Sequence, residues 1–308
     1  RLNPNGYFKF KEADSITACC PGGASGASGA GAVAREWTAM PSPPSPAPFS
    51  ASPLRSLWLA VALSMGAAIS LGITRFAYAL LLPPMREDLG WSYTLAGGMN
   101  TANALGYLLG ALATPWLLRR VAPGAVLLVG AAMATVFMGL SGFFTQAAPL
   151  LVQRLLAGGA SALVFIAGGL LAARLGAQVP GRSGLLLGLY YGGTGWGISL
   201  SALLVPAVLA AAPAPHSWTW AWWALALACV AATLALLWPA RVLSGLAAPV
   251  AAASGTTPSA AAPDHVRWRA LAPALLGYGL FGVGYIGYMT FVVALLREQG
   301  RGAGEVTL

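Results

Sequence analysis

From residue 54 onward the chain alternates long apolar runs with short polar or proline-marked breaks. Seven runs, at about 56–82, 94–117, 122–144, 149–173, 184–211, 217–239 and 270–296, each come near the roughly 20 residues that a membrane-spanning helix needs. Turn residues separate them: Pro83-Pro84, Pro123-Gly124, Pro149, Pro180-Gly181, Pro213 and Pro215. One connection is long. Residues 240–269 are rich in Ala, Ser and Pro and read as a flexible linker. The pattern predicts an all-α polytopic membrane protein.

The first run carries the feature that most needs explaining, Gly72-Ile-Thr-Arg75-Phe-Ala-Tyr78. The run is expected to end at the double proline. Arg75 falls about 18 residues in, past the bilayer midpoint at roughly 1.5 Å per residue. An arginine at that depth is costly and marks a functional site by default, with snorkelling to the far interface as the rival. Arg154 lies about five residues into the fourth run, shallow enough to snorkel. The first six runs contain no Asp or Glu to pair with either.

Other polar and aromatic positions join these two. Asn100, Asn103 and Tyr107 share one face of the second run and either line a wet cavity or bond a neighbouring helix. Gly106 and Gly110 beside them are a close-packing signal. The fifth run reads Gly188-Leu-Tyr190-Tyr191-Gly192-Gly193-Thr194-Gly195-Trp196-Gly197. Its small residues suit tight helix packing or bending, while Tyr191 and Trp196 are candidates for stacking on a solute. The seventh run places Phe281, Tyr285 and Tyr288 at helical spacing among five glycines, a pliable aromatic face.

Composition and charge narrow the class. Hydrophobic residues make up 57% and charged residues 8% of the chain, against about 25% charged in a soluble domain. The net charge of +9 is nearly all arginine, with lysine only at Lys9 and Lys11. It reads as loop charge that sets orientation, not as a nucleic-acid surface. With a cytoplasmic N-terminus, inner segments hold Arg55, Arg119, Arg120, Arg174, Arg182, Arg241, Arg267 and Arg269, and outer ones Arg86, Arg297 and Arg301. That asymmetry favours a multi-pass membrane protein with its N-terminus in the cytoplasm. Trp58, Trp91, Trp116, Trp218, Trp220 and Trp238 sit near run ends, where interface anchors belong. Cys229 lies in an apolar run and reads as a small core residue.

Residues 1–39 lack periodicity and read as a disordered or non-native extension, and 40–53 as a cytoplasmic tail. A six-helix bundle over 54–239 and the 240–269 linker follow. Residues 270–308 would be helix 7, the start of a second bundle cut short. A short repeat supports this division: Leu-Leu-Leu-Pro-Pro-Met-Arg86-Glu87-Asp88 returns as Val-Ala-Leu-Leu-Arg297-Glu298-Gln299, 211 residues later. Parallel-repeat transporters join two such halves through a central loop.

The stretch from Gly72 to Tyr78, Leu-Leu-Pro-Pro-Met85, Asn100-Thr-Ala-Asn103-Ala-Leu-Gly106-Tyr107-Leu-Leu-Gly110 and Tyr190-Tyr-Gly-Gly193 resemble the YbfB/YjiJ-type family of the major facilitator superfamily. The superfamily pattern also shows in Arg154-Leu-Leu-Ala-Gly158-Gly159. Thr114 stands where the superfamily usually has Asp, which departs from its inner-gate charge relay. The resemblance implies a twelve-helix secondary transporter working by alternating access, with helices 1, 2, 4, 5 and 7 around a central cavity. It implies a small-molecule substrate, with proton coupling and facilitated movement as the options, in a bacterial cytoplasmic membrane; the depth of Arg75 and the carboxylate-matching fork of arginine make an organic anion the candidate solute. Arg75, Tyr78, Asn100, Asn103, Tyr107, Arg154, Tyr191, Trp196, Tyr285 and Tyr288 are the candidate cavity residues.

Other classes fit less well. A retinal protein needs a lysine in the last run, and there is none. A membrane hydrolase needs a nucleophile with a base or a metal site, and the only histidines are His216 and His265 in predicted loops. A structural or sensor membrane protein is the alternative. No enzymatic activity, catalytic residue, metal, cofactor or nucleic-acid partner is expected; the partners are the bilayer and a solute, and the chain is expected to be monomeric.

Overall fold

A computed structural model describes residues 52–179, 181–213, 215–244 and 268–299. The expectations for 1–39, most of 40–53, most of the linker and the last nine residues fall outside them. All regular structure among the described residues is helical. The helices are α1 (Pro53–Ala67), a π-helical segment (Ala68–Ile73), α2 (Phe76–Leu89), α3 (Tyr93–Leu118), α4 (Pro123–Ser141), α5 (Ala147–Ala177), α6 (Ser183–Ala211), α7 (Ser217–Ser244) and α8 (Trp268–Glu298). Five stretches are long and apolar enough to cross a membrane: Pro53–Leu89, Pro123–Ser141, Ala147–Ala177, Ser183–Ala211 and Ser217–Ser244. α3 has the length, 26 residues, but carries Asn100, Asn103, Thr101 and Tyr107.

Local chemistry sets the helix ends. Ser52 caps α1, its hydroxyl accepting from Arg55 N at 3.3 Å, and Pro53 takes the first turn, where no amide is needed. Ser92 caps α3 through Leu95 N at 3.2 Å. Gly90, at φ 65°, ends α2 in the left-handed conformation that glycine adopts without strain.

The first span differs from expectation twice. It breaks where the sequence reads as continuous: one π-turn, with Thr74 N bonding Ile69 O at 3.0 Å, leads into a turn at Thr74-Arg75. It also runs through the double proline to Leu89. Pro83 and Pro84 remove two amide donors, but Leu81, Leu82, Pro83 and Met85 are all buried, and that packing holds the helix together. Glu87 and Asp88 therefore sit on the last turn of a helix and not in a loop. α7 likewise continues through Pro239 to Ser244, so the first linker residues are helical.

Small residues bring the helices together. A Cβ at Gly106 would fall on the Leu155 carbonyl and one at Gly158 on the Asn103 carbonyl, so α3 and α5 cross backbone to backbone. A Cβ at Gly193 would strike Ser64, and Gly72 meets Gly197, which joins α1 and the π segment to α6. Lipid tails give apolar helices little reason to associate, so close backbone packing and interhelical hydrogen bonds carry the bundle. Ser70 Oγ donates to Ser161 O at 2.8 Å and Tyr190 Oη to Phe165 O at 2.8 Å. Cys229 is buried, as its apolar run predicts.

The two ends of the bundle differ. At one, Gly124 packs on Ala240 and Ser244, and Gly176 on Ser183. Exposed Arg119 and Arg120 lie on the loop leading to Gly124, with Arg120 over the Trp116 ring at 4.4 Å. Thr114, buried here, bonds its own helix through Gly110 O at 2.6 Å. At the other end, Asp88 accepts from Trp218 Nε1 at 2.5 Å and meets His216 Nδ1. Trp218 is 1% exposed and Trp91 is buried, so neither is an interface anchor. The other four indoles of that set remain exposed.

α8 lies against α2 and the start of α3. Phe291 meets the Tyr93 ring edge-on at 6.2 Å, Tyr93 Oη donates to Glu298, and the Arg86 guanidinium lies 3.7 Å over the same ring. The two copies of the short repeat thus meet on Tyr93.

Candidate functional site: two arginines beside the break in the first span

The π segment that leads into the break at Thr74-Arg75 packs on α6 and, less extensively, on α5, α7 and α4. Arg154, on α5, reaches it from inside the bundle. Its side chain is 2% exposed, and Nη1 donates to Thr74 O at 3.1 Å. Tyr78 and Trp222 flank the guanidinium, with ring centroids 4.7 and 5.9 Å from Cζ. Cation–π attraction is worth most at such desolvated positions. The snorkelling open to Arg154 does not occur, because its face of α5 is turned to neighbouring helices rather than to an interface.

Tyr78 completes this inner group. It is buried, and its hydroxyl donates to Ala96 O at 2.8 Å. That proton ties α2 to α3. Asn103 plays a similar part. It is buried, and Nδ2 donates to Arg154 O at 3.0 Å. Of the two roles open to the Asn stripe, Asn103 takes the interhelical bond. Asn100 is buried too.

Arg75 stands on the other side of the break. It caps α2 with φ −98° and ψ −49° and is partly exposed. No described residue forms an ion pair or hydrogen bond with it. Its charge lies within electrostatic range of Arg154 and of the Tyr107 hydroxyl. Tyr107, one turn beyond Asn103, is also within range of Tyr191. Tyr191 is 48% exposed and packs by ring contact on Tyr190 and Phe165, at 5.1 and 5.4 Å between centroids. Arg75 before α2 and Tyr191 on α6 both lie within electrostatic range of the Tyr107 hydroxyl on α3.

The remaining candidates lie elsewhere. Trp196, five residues from Tyr191, points to a different side of α6. It lines an apolar groove of about 390 Å³ with Met65, Ile73 and the alanine face of α7. Tyr285 stacks on Phe281 of its own helix at 5.9 Å, and Tyr288 is exposed.

Two participants have no sequence reading as site residues. Trp222 could have been found as i+4 of Trp218, which puts both indoles on one helix face. The Thr74 carbonyl had no signal, since a π-turn leaves none beyond a nearby glycine. As to chemistry, the described residues hold no cluster of His, Cys, Asp or Glu suited to a metal ion. Two cationic groups without a carboxylate, set beside tyrosines in a bundle of apolar spans, suit anion recognition.

No curated protein matches the chain. The family model described as "Uncharacterised MFS-type transporter YbfB" matches residues 67–307, which include the π segment, both arginines and every span after α1. With that extent matched, the chain belongs to the YbfB-type family of major facilitator superfamily transporters.

Proposed function

We propose that the protein is a secondary transporter that moves a small organic anion by alternating access, with Arg75 as the residue that receives its carboxylate. The observation that carries this reading is the state of Arg75. It is a permanently charged group halfway along an apolar span, accessible, and without an acidic partner among the described residues. Such a charge is tolerated in a membrane where it faces water or an anion. A guanidinium binds a carboxylate through two parallel bonds, which an ammonium cannot reproduce. Tyr107 lies near enough to donate to the same ligand. The arrangement we infer is a six-helix bundle from α1 to α7 followed by the first helix of a second bundle, twelve helices in all, with a cytoplasmic N-terminus. The positive loops at the Arg119-Arg120 end support that sidedness. Proton coupling is part of the proposal only as an alternative to facilitated movement.

The test is carboxylate binding to the purified protein in lipid nanodiscs. Arg75→Lys and Arg75→Gln are expected to abolish binding without lowering the unfolding temperature. Undiminished binding in Arg75→Gln would overturn the assignment.

A further inference from the structure

Arg154 is a buried cation with unfinished chemistry. Nη1 has its acceptor in Thr74 O. Nε and Nη2 are buried, and no described residue accepts from them. The Trp222 indole beside the guanidinium is 0% exposed, and its Nε1 also lacks an acceptor. Three donor nitrogens are thus buried without acceptors, on a guanidinium and on an indole whose ring centroid lies 5.9 Å from it, together with a full positive charge. From Leu89 to Pro263 the sequence has no Asp or Glu. Asp88 is engaged with Trp218 and His216 at the end of the bundle. The other charge within range is Arg75, which is of the same sign.

We infer that Arg154 and Trp222 hold a small inorganic anion, of halide size, inside the six-helix bundle. A buried guanidinium with open N–H donors and no carboxylate partner among the described residues is the environment such an ion requires. Buried donors left without acceptors are rare in native proteins because each costs most of its desolvation free energy. A water molecule answers this less well. It brings no charge to offset the buried guanidinium, which an anion does. A position 2% exposed is closed to a carboxylate solute, and a single-atom anion is the smallest counter-charge for it. The ion would also offset the repulsion between Arg154 and Arg75, leaving Arg75 free for a transported solute. The site is thus separate from Arg75 and does not depend on its function.

Thermal unfolding of the purified protein in detergent tests this, with sodium chloride and sodium bromide titrated against sodium gluconate at constant ionic strength. A ligand held only by the folded state raises the unfolding temperature as its concentration passes the dissociation constant. The expected result is a halide-specific rise that saturates. Trp222→Phe keeps the ring over Arg154 and deletes one donor. It should raise the half-saturating concentration about tenfold, the scale of one lost hydrogen bond to a charged group. Arg154→Met should abolish the halide dependence. If Arg154→Met does not fold, Trp222→Phe decides alone. Equal curves in halide and gluconate, or a halide curve unmoved by Trp222→Phe, would overturn the site.

Discussion

Arg75 and Arg154 stand on opposite sides of one helix break, and almost everything that distinguishes them comes from their neighbours. Counted along its run, Arg75 is the deeper. In the bundle Arg154 is the buried one, clasped between Tyr78 and Trp222 with a bond to Thr74 O. Arg75, in the turn that follows, is partly exposed and within electrostatic range of Tyr107. Depth along a span measures distance to an interface; burial depends on which helix face a residue occupies. One charge is built into the architecture and the other is left for a ligand. This division suits a carrier, whose binding residue must change surroundings while the bundle around it holds.

The contrast depends first on the crossing of α3 and α5, which presents the Arg154 backbone to Asn103. Gly158→Leu would drive a Cβ into the Asn103 carbonyl and part the helices. The expected loss exceeds about 4 kcal/mol, read as absence of a monodisperse folded protein in detergent. Gly188, whose Cβ would meet nothing within 4 Å, is the control. Gly188→Ala should be neutral or stabilise by up to about 1 kcal/mol. A folded Gly158→Leu protein would show that the crossing is not close.

The arginines themselves come next. Arg154→Ala should cost about 2–4 kcal/mol, because it leaves a cavity between two aromatic rings. Arg154→Met fills that space without charge and should recover most of the loss, as replacing a buried ion by an apolar isostere often does. Arg75→Ala should change stability by no more than about 0.5 kcal/mol, like an exposed position. Chemical unfolding of the three variants in one detergent measures this. Equal costs at 75 and 154 would break the distinction between a built-in charge and an available one.

The span pattern was legible because hydrophobic run length is a direct consequence of bilayer thickness. Helix ends fell within a few residues of expectation at Pro123 and Pro213, but not at the double proline, where the helix runs on to Leu89. Gly106-xxx-Gly110 and Gly193-xxx-Gly197 were readable as packing faces. What the sequence hid is rotational. Nothing in residues 149–173 said which face of α5 turns inward, so Arg154 could be read as snorkelling. The π-turn was hidden because it needs no special residue, and the break at Arg75 follows from it. Trp196 and Tyr191 looked like a pair in a glycine-rich stretch. Five residues at 100° each set them on different faces of α6.

The smallest expected effect concerns the outer rim, where polar contacts are exposed, unlike those around Arg154. Tyr93 holds α8 by three contacts: its hydroxyl to Glu298, its ring edge to Phe291, and its ring face to Arg86. Tyr93→Phe removes only the first. An exposed hydrogen bond to a carboxylate competes with water, so the change should cost no more than about 0.5 kcal/mol. Tyr93→Ala removes all three and should cost about 1 kcal/mol, mostly from the cation–π and ring contacts. The readout is the approach of α8 to α3. Gly97 lies against Phe291, so Gly97→Cys with Phe291→Cys, with Cys19 and Cys20 changed to Ser and Cys229 buried, offers a cross-link that reports the Glu298 and Arg86 contacts, the ring contact being absent from that background. Cross-linking yield should be unchanged by Tyr93→Phe and lowered by Tyr93→Ala. A large drop in Tyr93→Phe would mean that the Glu298 contact is shielded from water, and that the rim resembles the Arg154 interior after all.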